Sequence, residues 1–169
     1  MQSSTPAKPI LFGIAFLCIA LLGVALYLQQ IEHMLPCPLC VMQRYAFIGI
    51  ALSCLISAGN SGTTRRISIA LGLASALAGI GVASYHLYVL ANPAMSCGID
   101  PLETTVNKVF LAQWLPVLLK ADGFCDTPYP PILGLSIPAW AMIWFVVIAI
   151  TLFTLLLQRQ RQGIFGKHR

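Results

Sequence analysis

The sequence predicts an all-α membrane protein, a bundle of four transmembrane helices with one long outer loop. Of 169 residues, 58% are hydrophobic and only 9% charged, against roughly 25% charged in a soluble domain. Four apolar stretches, at about residues 10–28, 41–57, 67–90 and 139–157, suffice to cross about 30 Å of hydrocarbon, which takes roughly 20 residues in a helix. The basic residues are also set apart from the acidic ones. With no interdomain linker, internal repeat or low-complexity tract, residues 1–169 read as one integral membrane domain.

Each element has its own signal. The first stretch follows Lys8 and is longer than the apolar core of a secretory signal, and no small-residue cleavage site precedes Gln29-Gln30, so it reads as a retained helix. A short loop, about residues 29–40, leads to Cys37-Pro38-Leu39-Cys40. Pro38 suits the first turn of a helix, where its missing N–H costs nothing, so the second helix is expected to open at this motif. Ser61 to Arg66 read as a tight inner turn before the third helix. The loop at about 91–138 is far longer than a connection needs, which marks it as functional or disordered. Within it Val106, Val109, Phe110, Trp114, Val117 and Leu118 recur at helical spacing and predict a short helix in the bilayer surface, kinked or ended by Pro116. Trp114, Trp140 and Trp144 read as anchors at the membrane boundary.

Charge orients the bundle, because basic residues in short loops stay on the cytoplasmic side. Lys8, Arg65, Arg66, Arg159, Arg161, Lys167 and Arg169 fall in the N-terminus, the middle turn and the C-terminal tail. Glu32, Asp100, Glu103, Asp122 and Asp126 share the other two loops with Cys37, Cys40, Cys97 and Cys125. Both termini are therefore expected inside and the four loop cysteines outside. In a bacterial-type membrane the outside is an oxidising space where disulfides persist. The net charge of +5 is accounted for by inside-positive segments and does not call for nucleic acid. Cys18 and Cys54 lie within helices and read as small apolar filler.

Two cysteine pairs on one face suggest a thiol relay. A CxxC pair cycles readily between dithiol and disulfide. Helix N-termini stabilise anions, and Arg44, four residues after Cys40, shares its helical face. Cys40 is thus the candidate thiolate and Cys37 the exchangeable partner. Competing readings are a structural disulfide and a four-cysteine metal site, the latter weakened by the 27 residues between Cys97 and Cys125. A Cys97–Cys125 staple closing about 29 residues contributes roughly 3.5 kcal/mol in the chain-entropy treatment. Four cysteines allow three connectivities, and spacing does not choose among them. Arg44 reads either as a functional cation beside a reactive thiol or as a residue reaching for the headgroups. His86, near the outer end of the third helix, reads either as a proton carrier or as a locally bonded histidine. A thiol oxidase also needs an electron sink. Haem-attachment and dinucleotide motifs are missing, and a lipid-soluble quinone suits an apolar pocket beside Cys40 and Arg44.

The order CPLCxxxR from Cys37 to Arg44, Ser84-Tyr85-His86, Cys97, Trp114-Leu115-Pro116, Cys125 and Leu133-Gly134-Leu135 resembles the bacterial inner-membrane thiol:quinone oxidoreductase family DsbB over nearly the whole chain. The resemblance implies that a reduced periplasmic DsbA-type oxidase attacks Cys97 of a Cys97–Cys125 disulfide, and that released Cys125 attacks Cys37. Cys40 is then freed as a thiolate that donates to ubiquinone, or menaquinone, beside Arg44. Closing Cys37–Cys40 completes the two-electron transfer. It also makes His86 a candidate for the quinone site and implies no metal. A vitamin K epoxide reductase-like enzyme is the alternative, although such proteins place their CxxC near the last helices. A disulfide-stapled scaffold or a metal-binding tetraspan protein is the non-enzymatic alternative.

Overall fold

The computed structural model describes residues 7–92, 101–123, 125 and 131–165. Among these it is all-helical: α1 (Ala7–Ile31), α2 (Pro38–Gly59), α3 (Gly62–Ala91), α4 (Pro101–Asn107), α5 (Phe110–Trp114), α6 (Pro116–Leu119) and α7 (Ile137–Phe165). No strand forms, and the only bridge among the described residues joins Ile132 and Leu135. The four long helices α1, α2, α3 and α7 are long and apolar enough to cross a membrane.

Each of these helices outruns its apolar stretch. Hydropathy marks the part that needs hydrocarbon, whereas the backbone hydrogen-bond ladder continues into polar residues at no cost where water meets its ends. The inner turn is correspondingly shorter than residues 61–66: only Asn60 and Ser61 separate α2 from α3. Asn60 closes α2 through its backbone N–H and its side-chain amide, both donating to the Ile56 carbonyl. Gly62 then takes a φ of +63°, a left-handed conformation that glycine adopts without the Cβ clash of other residues.

The helices pack in chain order, α1 on α2, α2 on α3 and α3 on α7, while α1 and α7 barely touch. Hydrocarbon tails are as apolar as leucine, so close packing rather than expulsion from water holds such helices together, and small residues let the backbones approach. At Gly79 a Cβ would stand 2.5 Å from the Phe145 ring, and Phe145 stacks on Phe47 with ring centroids 4.1 Å apart. This Gly79–Phe145–Phe47 layer lies at the centre of a core that also takes in Cys18 and Cys54, both buried among apolar neighbours.

The loop before α7 departs from a single surface helix. Its ladder tightens where Val109 and Ala112 donate three residues back, to Val106 and Val109, and Pro116 cannot donate, so α6 restarts with that proline at its N-terminus. Three short helices result. Val106 turns inward onto Val41, Ala112, Leu119 and Ala121, while Val109, Phe110, Trp114 and Val117 are exposed. The apolar positions therefore divide between two faces, because each short helix has its own axis.

Candidate active site

Cys37 is the N-cap of α2, and its sulfur accepts the Cys40 backbone N–H at 3.3 Å. Pro38 supplies the first helical residue, whose donor is not needed. One turn of helix therefore brings the Cys37 and Cys40 sulfurs to 3.3 Å of each other. From α3, His86 places Nε2 3.7 Å from the Cys37 sulfur. Its Nδ1 meets the side-chain amide of Gln43 at 3.3 Å, so a residue three after Cys40 on α2 orients the imidazole. Cys37 and His86 are buried, and Cys40 is partly so.

Cys125 arrives from the long loop, and the loop's own contacts deliver it. Asn107 at the end of α4 grips Ala121 by both backbone groups: its Oδ1 accepts the Ala121 N–H at 2.8 Å and its Nδ2 donates to the Ala121 carbonyl at 2.9 Å. The next two N–H groups, of Asp122 and Gly123, both donate to the Pro36 carbonyl, one residue before Cys37. Gly123 sits so close to the Leu35 carbonyl that any Cβ would collide with it. Cys125 then packs against Cys37, Leu39 and Val89. The Cys37 thiol shares a hydrogen bond with Cys125; together with the Cys40 contact and burial it holds Cys37 far above the ordinary thiol value, while the same bond draws Cys125 below it. Cys97 lies outside the described residues.

Arg44 is buried on the same side of α2. Its Nη1 donates to Gln29 Oε1 of α1 at 2.8 Å and to the Leu118 carbonyl of α6 at 2.7 Å. Gln29 Nε2 in turn donates to the Val117 carbonyl at 3.0 Å. The guanidinium thus ties α1, α2 and the approach to Cys125 together, with both Nη1 hydrogens engaged and its other nitrogens left for a further acceptor.

A cavity of ≈ 640 Å³ joins these parts. Gln29, Cys37, Cys40, Gln43, Arg44 and His86 supply most of its polar wall; apolar side chains of α1 and α3, residues 34–36, Phe47 of α2, and Trp140 and Trp144 of α7 line much of the rest. Those two tryptophans, read from the sequence as boundary anchors, are cavity residues here, and Trp140 Nε1 also donates to the Ile132 carbonyl. That carbonyl belongs to a tight turn in which Leu133 and Gly134 both have positive φ, 52° and 82°, the backbone of a type I′ turn. Trp114, by contrast, is exposed.

Sequence reasoning singled out Cys37, Cys40, Arg44, His86 and Cys125, and the structure gathers all five at one end of the bundle. It did not single out Gln29, Gln43, Asn107 or Gly123. For Gln43 a signal existed, since an amide beside Arg44 inside an apolar stretch is costly unless it has a partner. For the others the partners are distant in sequence, and nothing local marks them.

Comparisons with known proteins identify the family. A family profile described as "Disulfide bond formation protein DsbB" matches residues 7–155. A "Disulfide bond formation protein B" of Herminiimonas arsenicoxydans is 57% identical over 146 residues, 86% of this chain and 92% of that one. Proteins of the same name from Ralstonia nicotianae and Cupriavidus necator are each 48% identical, over 96% and 95% of this chain and 100% and 98% of theirs. With four membrane-length helices, a thiol cluster at one end and relatives matched over nearly their whole length, the chain belongs to the DsbB family of disulfide bond formation proteins.

Proposed function

We propose that this protein is a dithiol:quinone oxidoreductase of the bacterial inner membrane, which reoxidises a periplasmic DsbA-type thiol oxidase and passes two electrons to a membrane quinone. The observation that carries this reading is the cavity whose polar wall holds Cys37, Cys40, His86 and Arg44 and whose other walls are apolar. Its volume falls within the range of small-molecule sites. It lies between α1 and α7, which barely touch, so a lipid-soluble ligand has a lateral way in. Ubiquinone fits the donor set, with menaquinone the other member of the class. Bound there, the quinone supplies a two-electron, two-proton acceptor.

The residues divide the work. One thiol of the substrate protein attacks Cys97 of a Cys97–Cys125 disulfide, forming a mixed disulfide and releasing Cys125. Cys125, already against Cys37, attacks the Cys37 sulfur, forms Cys37–Cys125 and expels Cys40 as a thiolate. The second substrate thiol then takes Cys97's place, which yields the oxidised substrate and frees Cys97. Cys97 reclaims Cys125, leaving the Cys37/Cys40 dithiol, and loss of two electrons and two protons closes Cys37–Cys40 again. Arg44 offers its cationic donors to the ligand, and His86, oriented by Gln43, stands beside both sulfurs to accept or give a proton. Net, one substrate dithiol becomes a disulfide and one quinone becomes quinol. The long loop and four thiols then face the periplasm, with both termini in the cytoplasm. Exposed Phe110 and Trp114, rings 5.4 Å apart, lie at the membrane surface.

The relay is tested by trapping. In the intact protein given a reduced DsbA-type substrate that keeps only its attacking thiol, so that the mixed disulfide at Cys97 cannot resolve, non-reducing peptide mapping should show Cys37–Cys125 accumulating. A map with only Cys97–Cys125 and no inter-loop bond would leave that pair as a staple. Cys97→Ser should spare oxidation of small dithiols while blocking the protein substrate.

A further inference from the structure

We propose that, once reduced, the Cys37–Cys40–His86 cluster is a binding site for a thiophilic divalent cation, Zn²⁺ by its donor set. The proposal needs only the dithiol form and stands apart from the quinone reading. A tetrahedral zinc, with sulfur at about 2.3 Å and nitrogen at about 2.0–2.1 Å, sets two sulfur ligands about 3.8 Å apart and a sulfur and a nitrogen about 3.5 Å apart. Here the two sulfurs stand 3.3 Å apart and the Cys37 sulfur 3.7 Å from His86 Nε2, and all three donor atoms lie within 4.8 Å of one another. The sulfur pair and the Cys37–His86 pair are each within about half an ångström of their places on a zinc tetrahedron. The metal site weighed from sequence spacing used four cysteines, whereas this one uses the closely spaced pair and a histidine from the neighbouring helix.

Two further features suit a metal. Metal-bound histidines are oriented through their other ring nitrogen, and His86 Nδ1 meets the Gln43 side-chain amide. Gln43 Nε2 is the atom that faces Nδ1; a half-turn of the amide, which exchanges its oxygen and nitrogen in place, lets the oxygen accept Nδ1–H and leaves Nε2 of His86 with its lone pair toward the sulfurs. The donors line an open cavity, which gives the ion a path in. On binding, the two thiols release two protons and become zinc thiolates, and neutral His86 loses none. A metal-held pair has no thiolate free for exchange, so the cation holds the enzyme in its reduced state until it leaves.

Cobalt is the probe. The full-length protein, reduced with a phosphine and kept anaerobic in detergent, is titrated with Co²⁺ and its visible spectrum followed. The expected result is one equivalent bound with the intense absorption of a tetrahedral thiolate site, bleached by Zn²⁺, and missing from the same protein with its Cys37–Cys40 disulfide closed. The oxidised protein has the same chain and fold, so this control does not depend on a variant folding. Cys37→Ser/Cys40→Ser should abolish the signal, and Gln43→Leu should weaken binding about tenfold, as loss of an orienting partner does. Absence of the absorption in the reduced protein overturns the proposal. So does an equal signal in the oxidised protein or in Cys37→Ser/Cys40→Ser.

Discussion

The thiols of Cys37 and Cys125 share one hydrogen bond and are driven apart in acidity by it. Cys37 keeps its proton far above the ordinary thiol range, and Cys125 gives its proton up below the ordinary value of 9.0. In the reduced protein, alkylation of Cys125 should therefore remain fast as the pH falls below 9.0, while Cys37 stays unreactive. Mass spectrometry of pH-dependent alkylation measures this, and Cys37→Ala, which removes the donor, should move the Cys125 profile upward. A Cys125 profile identical with and without Cys37 would break the pairing. Beside them, Gln29 is the acceptor that holds Arg44. Gln29→Ala removes one charge-assisted hydrogen bond, worth about 1.5–3 kcal/mol, so the quinone concentration for half-maximal rate should rise about tenfold or more with little change in the maximal rate. Arg44→Ala should do the same more strongly; an unchanged quinone dependence would return Arg44 to headgroup contact alone. Reactive groups such as Cys37, Cys40, Arg44 and His86 were legible because each is chemically conspicuous near an apolar stretch. Gln29 was not, since it looks like any polar residue closing a helix and acquires its role from Val117, 88 residues away.

At the scale of elements, hydropathy located the four long helices because burying backbone in hydrocarbon leaves few alternatives to a helix. It did not locate their ends, which the hydrogen-bond ladder sets. The loop was harder to read. Helical periodicity saw one stripe from Val106 to Leu118, but it is blind to the ladder's tightening at Val109 and to the restart at Pro116. The docking of residues 121–123 on Pro36 has no local signature at all, yet it places Cys125. Gly123→Ala should therefore displace that segment from Leu35 and slow formation of Cys37–Cys125 on the order of tenfold, as misplacement of reacting groups does, with the helical content unchanged. Normal trapping kinetics in this variant would show that the loop does not position the thiol. In the bundle, Gly79→Ala pushes a methyl into the Phe145 ring and should cost about 1–3 kcal/mol of stability, the usual range for overpacking, read as a lower thermal midpoint in detergent.

Over the whole molecule, α1, α2, α3 and α7 hold the thiols, the histidine and the arginine around one cavity that opens where α1 and α7 fail to pack. In the proposed reaction this arrangement would join water-side exchange to a membrane-side acceptor without moving electrons through the bundle's core, where Cys18 and Cys54 are packed among apolar neighbours. The sided distribution of charge predicts that a membrane-impermeant thiol reagent labels the reduced loop cysteines from the periplasmic face of right-side-out membranes and not from inverted ones. The central claim is that the Cys37–Cys40 pair delivers its electrons to a quinone in this cavity. The most direct measurement is quinone absorbance in detergent after a reduced DsbA-type substrate is added to the purified protein, with Cys37→Ser/Cys40→Ser as control. The account predicts loss of the oxidised quinone signal, one quinone for each pair of substrate thiols, only with the intact pair. Oxidation of the substrate with no change in either ubiquinone or menaquinone absorbance, or the same loss in the double variant, would contradict it.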